Sequence, residues 1–241
     1  MKFQHLIIGF LFLFIGLNAS AQFGMKNKKK WVASHIDKQG EKVEGYIYVA
    51  KTATIGSKSY DAPWNFQGTI SFIEKSAFAK LEKVTKKDYT KYGPKDIEGY
   101  EYDGKQYVSM EYKGATKENP IGIKAKKYFL LKEIDDKMSL YYFYENPKSS
   151  TRPEEVAERG DDPNLLYQMG KDGKLKLLPF IKVEKELADC PEVIAKHKKG
   201  EYNLIGNKKG KSSKLGRMIN QVAASGSVGV KIVNDYNSLC K

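Results

Sequence analysis

The amino-acid sequence predicts an α+β fold, mainly β, in which antiparallel strands and hairpins are followed by a short C-terminal helical tail. Three observations carry that expectation. Segments alternating apolar with polar residues recur from residue 31 to residue 180, short Gly-bearing turns separate several of them, and helix formers replace the alternation after Phe180.

Residues 31–36 and 43–49 alternate as strands, with DKQG (37–40) between them as a hairpin turn. GTISFIE (68–74) is a further strand. The clearest signal is GYEYDGKQYVSMEY (99–112), where Asp103 and Gly104 form a two-residue turn of the kind that matches strand twist. KKYFLLKEIDDKMSLYYFYEN (126–146) predicts two strands about a tight turn. LLYQMGKDGKLKLLPF (165–180) predicts a hairpin turning at Asp172 and Gly173. In VEKELADCPEVIAKHKK (183–199), Pro191 suits the first turn of a helix, with Asp189 or Cys190 near its cap. Leu215, Met218, Ile219 and Val222 make an amphipathic stripe. ASGSVG (224–229) then breaks the pattern before a last helix over 230–239. No internal repeat is present.

The first residues predict export. Met1 and Lys2 precede an apolar run over 6–17, and Ala19, Ser20 and Ala21 supply the small-x-small pattern of a cleavage site, so residues 1–21 form a signal peptide and Gln22 the mature terminus. The run is shorter than the roughly 20 residues of a membrane span. No cysteine near the junction suits lipidation, and no later stretch is apolar enough to span a bilayer. The mature chain is then a periplasmic or extracellular protein with a β-rich body over 22–180 and a helical tail over 181–241 packed on it.

Export changes how the two cysteines are read. In an oxidising compartment Cys190 and Cys240 are expected to pair, tethering the tail and closing a loop whose entropy stabilises the fold by about 4 kcal/mol. The alternative, a Cys/His metal site, has only His35 and His197 to draw on and no CxxC spacing. No metal and no cofactor are expected.

The net charge is +13, falling by one when Lys2 leaves with the signal. Lys196, Lys198, Lys199, Lys208, Lys209, Lys211, Lys214 and Arg217 form a basic surface against a single acid, Glu201, and Lys26, Lys28, Lys29 and Lys30 form a second cluster. Such density attracts phosphate, sulfate, carboxylated glycans or an anionic lipid surface with strong salt dependence. It is also what a soluble face alone requires. Specific nucleic-acid recognition has no motif. GNKKGKSS (206–213) is not a Walker loop, because three residues rather than four separate Gly206 from Gly210 and Ile205 stands where glycine is needed. The polar interval 145–164 holds Glu154, Glu155, Glu158, Asp161 and Asp162 without calcium-loop spacing, and suits a surface loop.

Three tyrosine pairs, Tyr46 and Tyr48, Tyr100 and Tyr102, and Tyr142 and Tyr144, each place two phenols on one side of a strand. Together they make an aromatic platform for sugar rings or an extended peptide, or else cross-strand packing that stabilises the sheet. Catalysis has little support: His35 and His197 lack a nucleophile and an orienting acid, and no GxSxG or HExxH is present. Glu98, Glu101 and Glu111 are the carboxylates a hydrolase would draw on.

LADCP (187–191) and IVNDYNSLC (232–240), with the Ala21/Gln22 junction and the strand-rich body, resemble a group of small uncharacterised exported proteins of Bacteroidota. The resemblance implies a Gram-negative cell envelope and a Cys190 to Cys240 bridge, and carries over no catalytic residue. The lysine-rich segment between the two motifs lengthens the tail here. The expected function is therefore non-enzymatic binding in the envelope, to an anionic glycan, an envelope polymer or a partner protein. The alternatives are a structural or accessory subunit of an envelope complex and, behind it, a hydrolase.

Overall fold

The computed structural model describes residues 27–55, 57–116, 124–146, 160–202 and 225–240. The signal segment, Lys26, Glu154, Glu155, Glu158, the GNKKGKSS loop, and the Leu215, Met218, Ile219 and Val222 stripe lie outside the described residues, as do Lys208, Lys209, Lys211, Lys214 and Arg217. The fold is α+β and mainly antiparallel β, with helices concentrated after residue 180. Two compact units divide it, one built from residues 1–49 and 69–104, the other from 50–68 and 105–241.

In the first unit, strands β1 (Val32–Lys38), β2 (Glu41–Tyr48), β5 (Ile70–Glu74), β6 (Thr90–Tyr92) and β7 (Gly99–Tyr102) lie in the order β7-β1-β2-β5-β6. The turn between β1 and β2 puts Gln39 at φ 54° and Gly40 at φ 78°, the left-handed pair that a tight two-residue hairpin demands. It sets the register Ala33 to Tyr46 and Ile36 to Val43. Alternation then sends Ile47 to a fully buried side of β2, while Tyr46 and Tyr48 point to the other, where the helix α1 (Lys75–Ala79) packs through Phe78. Asp103 and Gly104, at φ 55° and 72°, repeat the left-handed pair where the chain leaves this unit.

In the second unit the sheet order is β8 (Lys105–Tyr112), β9 (Lys126–Ile134), β10 (Met138–Phe143), β11 (Asn164–Met169) and β12 (Lys176–Leu177). A separate hairpin of β3 (Thr52–Ile55) and β4 (Lys58–Asp61) and a 3-10 turn, Pro63–Gln67, belong to the same unit. Consecutive residues of β10 and β11 are buried on both faces of the sheet. On one face Met138, Leu140, Leu165 and Tyr167 meet Leu178, Val183, Leu187, Val193, Ile232 and Val233 from the turn Leu178–Phe180 and the helices α2 (Val183–Glu186), α3 (Pro191–Lys198) and α4 (Ser225–Leu239). On the other face Leu130, Tyr141, Phe143, Leu166 and Leu177 close on Tyr112 and Ala115. Pro191 occupies the first turn of α3 and Cys190 its N-cap, as the sequence predicts.

The last helix begins earlier than its sequence suggests, since the small residues 225–229 are helical. Gly229 supplies the reason. A Cβ there would lie 2.8 Å from Leu178 Cδ2 and 3.0 Å from Leu165 Cδ1, so the missing side chain lets α4 approach the sheet closely, and that packing outweighs glycine's poor helix propensity. Polar groups fasten the remainder. Asn237 accepts from the Met138 amide at 2.8 Å and donates to the Met138 carbonyl at 2.9 Å, and Lys137 Nζ donates to the Cys240 carbonyl at 2.6 Å. Cys190 and Cys240 form a disulfide across a Cα separation of 5.2 Å, between the start of α3 and the end of α4.

Two outcomes are expected from chemical denaturation. Gly229→Val, by forcing β-branched bulk against Leu178 and Leu165, lowers stability by roughly 1–3 kcal/mol. Replacing both Cys190 and Cys240 by serine lowers it by up to about 4 kcal/mol, the loop-closure entropy of a 50-residue separation.

Candidate functional site

The side chain of Lys28 organises the best candidate site. Its ammonium donates to the carbonyls of Phe78 at 3.2 Å and Leu81 at 2.7 Å, and sits 4.5 Å from the centre of the Phe78 ring. Residues 27–31 are thereby held against the end of α1, where the Lys30 and Trp31 amides donate to Asn27 and Lys28 carbonyls at 3.3 and 3.0 Å. Trp31 is placed at the centre of an aromatic group, with ring centres 5.7 Å from Tyr48, 5.6 Å from Tyr89 and 6.3 Å from Phe78. Tyr46 stacks on Phe78 at 3.9 Å behind it.

A cleft of about 340 Å³ opens over these rings. Trp31 is buried as its floor, with Tyr48 and Tyr89 half-buried at its sides and Lys30, Lys86, Asn27 and Thr85 on its exposed rim. The Thr85 end is shaped by Asp88, whose carboxylate accepts from the Thr85 amide and hydroxyl, both at 2.6 Å. Those two hydrogen bonds from Thr85, side chain first and backbone second, hold the Asp88 carboxyl below its ordinary range. Neither Lys30 nor Lys86 has an ion pair among the described residues, and neither is tied to backbone carbonyls as Lys28 is. The cleft therefore combines apolar ring surface with two uncompensated ammonium groups, which suits a ring-shaped ligand carrying negative charge.

Of the residues singled out in the sequence, Tyr48 and Lys30 are in this cleft. Tyr46 is beneath it, stacked on Phe78. The wider tyrosine platform is corrected by burial: Tyr100 and Tyr102 are 0% and 3% exposed, so these two of the six phenols cannot pave an open face. Tyr142 and Tyr144 belong to the second unit and are half-buried, with burial pushing the Tyr142 phenol up and that of Tyr144 up to about 12. The Tyr144 backbone is tied at both its amide and its carbonyl to the Gln67 side chain.

The described part of the lysine-rich tail is partly neutralised. Lys196 pairs with Asp235 at 3.1 Å, and Lys231 pairs with both Asp235 at 3.2 Å and Glu201 at 3.7 Å. Asp235 is thus an acid facing this cluster beyond Glu201, brought there by α4 from 39 residues downstream of Lys196 in the chain. Lys198 and Lys199 are exposed. His35 lies 3.8 Å from Glu101 and 3.7 Å from Asp37, and the Glu98 carboxylate accepts from the Gln39 amide at 3.2 Å. Among the described residues no group of three His, Cys, Asp or Glu side chains is placed to hold a metal, and no helix is long and apolar enough to cross a membrane.

Trp31 and Tyr89 were not singled out as binding residues by the sequence, although a signal exists. KKKW (28–31) and KKDY (86–89) each carry lysines within three residues before an aromatic residue, and the fold brings the two segments to one cleft. Compared with protein-family models, curated proteins and solved structures, the chain matches none.

Asp88→Ala is expected to lower the hydrogen-exchange protection of the Thr85 amide. Acid has the same effect in the wild type. Because the folded Asp88 pKa is depressed, its contribution is present above the unfolded value of about 3.9 and is lost as pH falls through the lower folded value. Amide exchange measured across that window in both proteins checks this.

Proposed function

We propose that the protein is an exported, non-enzymatic binding module of the cell envelope that holds an anionic glycan in the Trp31, Tyr48 and Tyr89 cleft. The observation that carries this reading is the convergence of KKKW and KKDY on one aromatic concavity with uncompensated lysines at its rim. Sugar rings present C–H faces that pack on aromatic rings, and a carboxylate or sulfate at the ring's edge meets Lys30 or Lys86. The disulfide between Cys190 and Cys240 supports an oxidising compartment, and the amino-terminal sequence supports export into one. The recognition mechanism is then stacking for shape and lysine attraction for charge, with no bond made or broken.

The test is calorimetric titration of the chain from Gln22 onward with oligogalacturonate and with an uncharged oligosaccharide of matched length, at low and high salt. The charged ligand is expected to bind more tightly and to weaken with salt. Tyr89→Ala and Tyr48→Ala each weaken it by roughly threefold to tenfold, in line with aromatic contacts worth about 0.5–1.5 kcal/mol. Exchanging Lys30 and Lys86 for glutamine removes most of the salt dependence, whereas glutamine at Lys198 and Lys199 leaves it in place. Absence of binding at either salt concentration overturns the glycan reading.

A further inference from the structure

A second concavity, in the other unit, has a different chemistry. It measures about 560 Å³ and lies between the end of β8 and the segment joining β11 to α2. That size is within the roughly 300–1,000 Å³ of small-molecule sites. Met110, Leu175 and Phe180 wall it and are left half-buried, while Tyr112, Ala115 and Leu177 behind them are buried.

The polar side chains that reach this wall are engaged by the protein itself. Tyr112 donates its phenol to the Ala115 carbonyl at 2.6 Å, and burial raises its pKa well above the ordinary tyrosine range. Gln168 accepts from the Tyr141 hydroxyl at 3.0 Å and donates to the carbonyls of Lys171 at 3.0 Å and Gly173 at 2.8 Å. Glu186 accepts from the Tyr167 hydroxyl at 2.5 Å and pairs with Lys176. Burial alone would raise the Glu186 carboxyl, but the Lys176 and Tyr167 hydrogen bonds prevail and hold it below its ordinary range. The interior thus presents apolar surface and internally satisfied polar groups, which favours an apolar occupant over a polar one.

The rim differs from the interior. Lys113 and Lys174 are exposed there and have no ion pair among the described residues, against a single unpaired carboxylate, Glu111. We propose that this cavity binds a medium-length fatty acid, its hydrocarbon chain against Met110, Leu175 and Phe180 and its carboxylate between Lys113 and Lys174. Charge complementarity at the rim selects the anionic head, and the satisfied interior selects the chain. This site shares no residue with the glycan cleft.

The test is titration of the full mature chain with laurate and with dodecanol, each below its aggregation limit, with decanoate as a shorter anion. Saturable binding of one laurate per chain is expected, weakening by up to about fourfold for each CH₂ removed. Charge reversal by Lys113→Glu with Lys174→Glu weakens laurate at least tenfold and changes dodecanol less than threefold. Ala125→Trp, which fills the cavity, abolishes both. Leu175→Glu does the same by placing a carboxylate on the wall, and serves if the tryptophan variant does not fold. Absence of laurate binding overturns the proposal, as does laurate binding that either folded cavity variant leaves intact. Equal loss of laurate and dodecanol on charge reversal overturns the assignment of the head. A Tyr89→Ala control retains laurate affinity whatever its effect on glycan binding, so the two readings fail separately.

Discussion

Strands β10 and β11 are buried on both faces, one wholly apolar and the other mixing Tyr141, Phe143 and Leu166 with Ser139, Asn164 and Gln168, so each face must be covered. On one side Tyr141, Phe143 and Leu166 pack with Tyr112, Ala115, Leu130 and Leu177, with Leu175 and Phe180 against them. The other is covered by α2, α3 and α4, whose Val183, Val193, Ile232 and Val233 complete a core that the strands begin. Burial of side chains of this size stabilises by about 1.5–3 kcal/mol each, so the helical tail is integral to the core. The disulfide, the Asn237 hydrogen bonds to Met138 and the absence of a side chain at Gly229 all act on the same contact, holding α4 close to β10 and β11.

Tyrosine hydroxyls on this side repeat one solution. Tyr236 donates to Asp189 at 2.6 Å, Tyr202 to Asp235 at 2.8 Å, and Tyr167 to Glu186 at 2.5 Å. In each case a large ring is buried in the apolar cluster while its hydroxyl reaches a carboxylate at the margin, so the core gains ring area without leaving a buried donor unpaired. Burial first, and the carboxylate second, push these phenols above the ordinary tyrosine range, to about 12 for Tyr236. Three of the sixteen tyrosines are therefore explained by how this core is built. Tyr48 and Tyr89 differ in keeping an edge toward the cleft of the first unit.

Lysine divides in the same manner. Lys28 and Lys137 donate to backbone carbonyls, and Lys75, Lys132, Lys176 and Lys196 have carboxylate partners. In these six the charge is structural or compensated. Lys30 and Lys86 on the first unit, and Lys113 and Lys174 on the second, differ by standing unpaired beside a concavity.

Local features were legible in the sequence. The left-handed pairs at Gln39 and Gly40 and at Asp103 and Gly104, the strands they join, the start of α3 at Pro191, and the change to helix after residue 180 all follow from steric preferences within a few residues. The hairpin Thr52–Ile55 with Lys58–Asp61 and the helix Lys75–Ala79 were not legible, being short elements without a strong periodic signal. Alternation established that Tyr100 and Tyr102 share one side of β7 and that Tyr46 and Tyr48 share one side of β2. Only the tertiary structure decided that the first pair is buried while Tyr48 borders a cleft. The physical reason is that strand periodicity is determined by the backbone of the strand itself, whereas exposure depends on which distant segment covers that side. For Tyr48 the neighbours are Trp31 and Tyr89, assembled by a lysine whose hydrogen bonds span 50 and 53 residues.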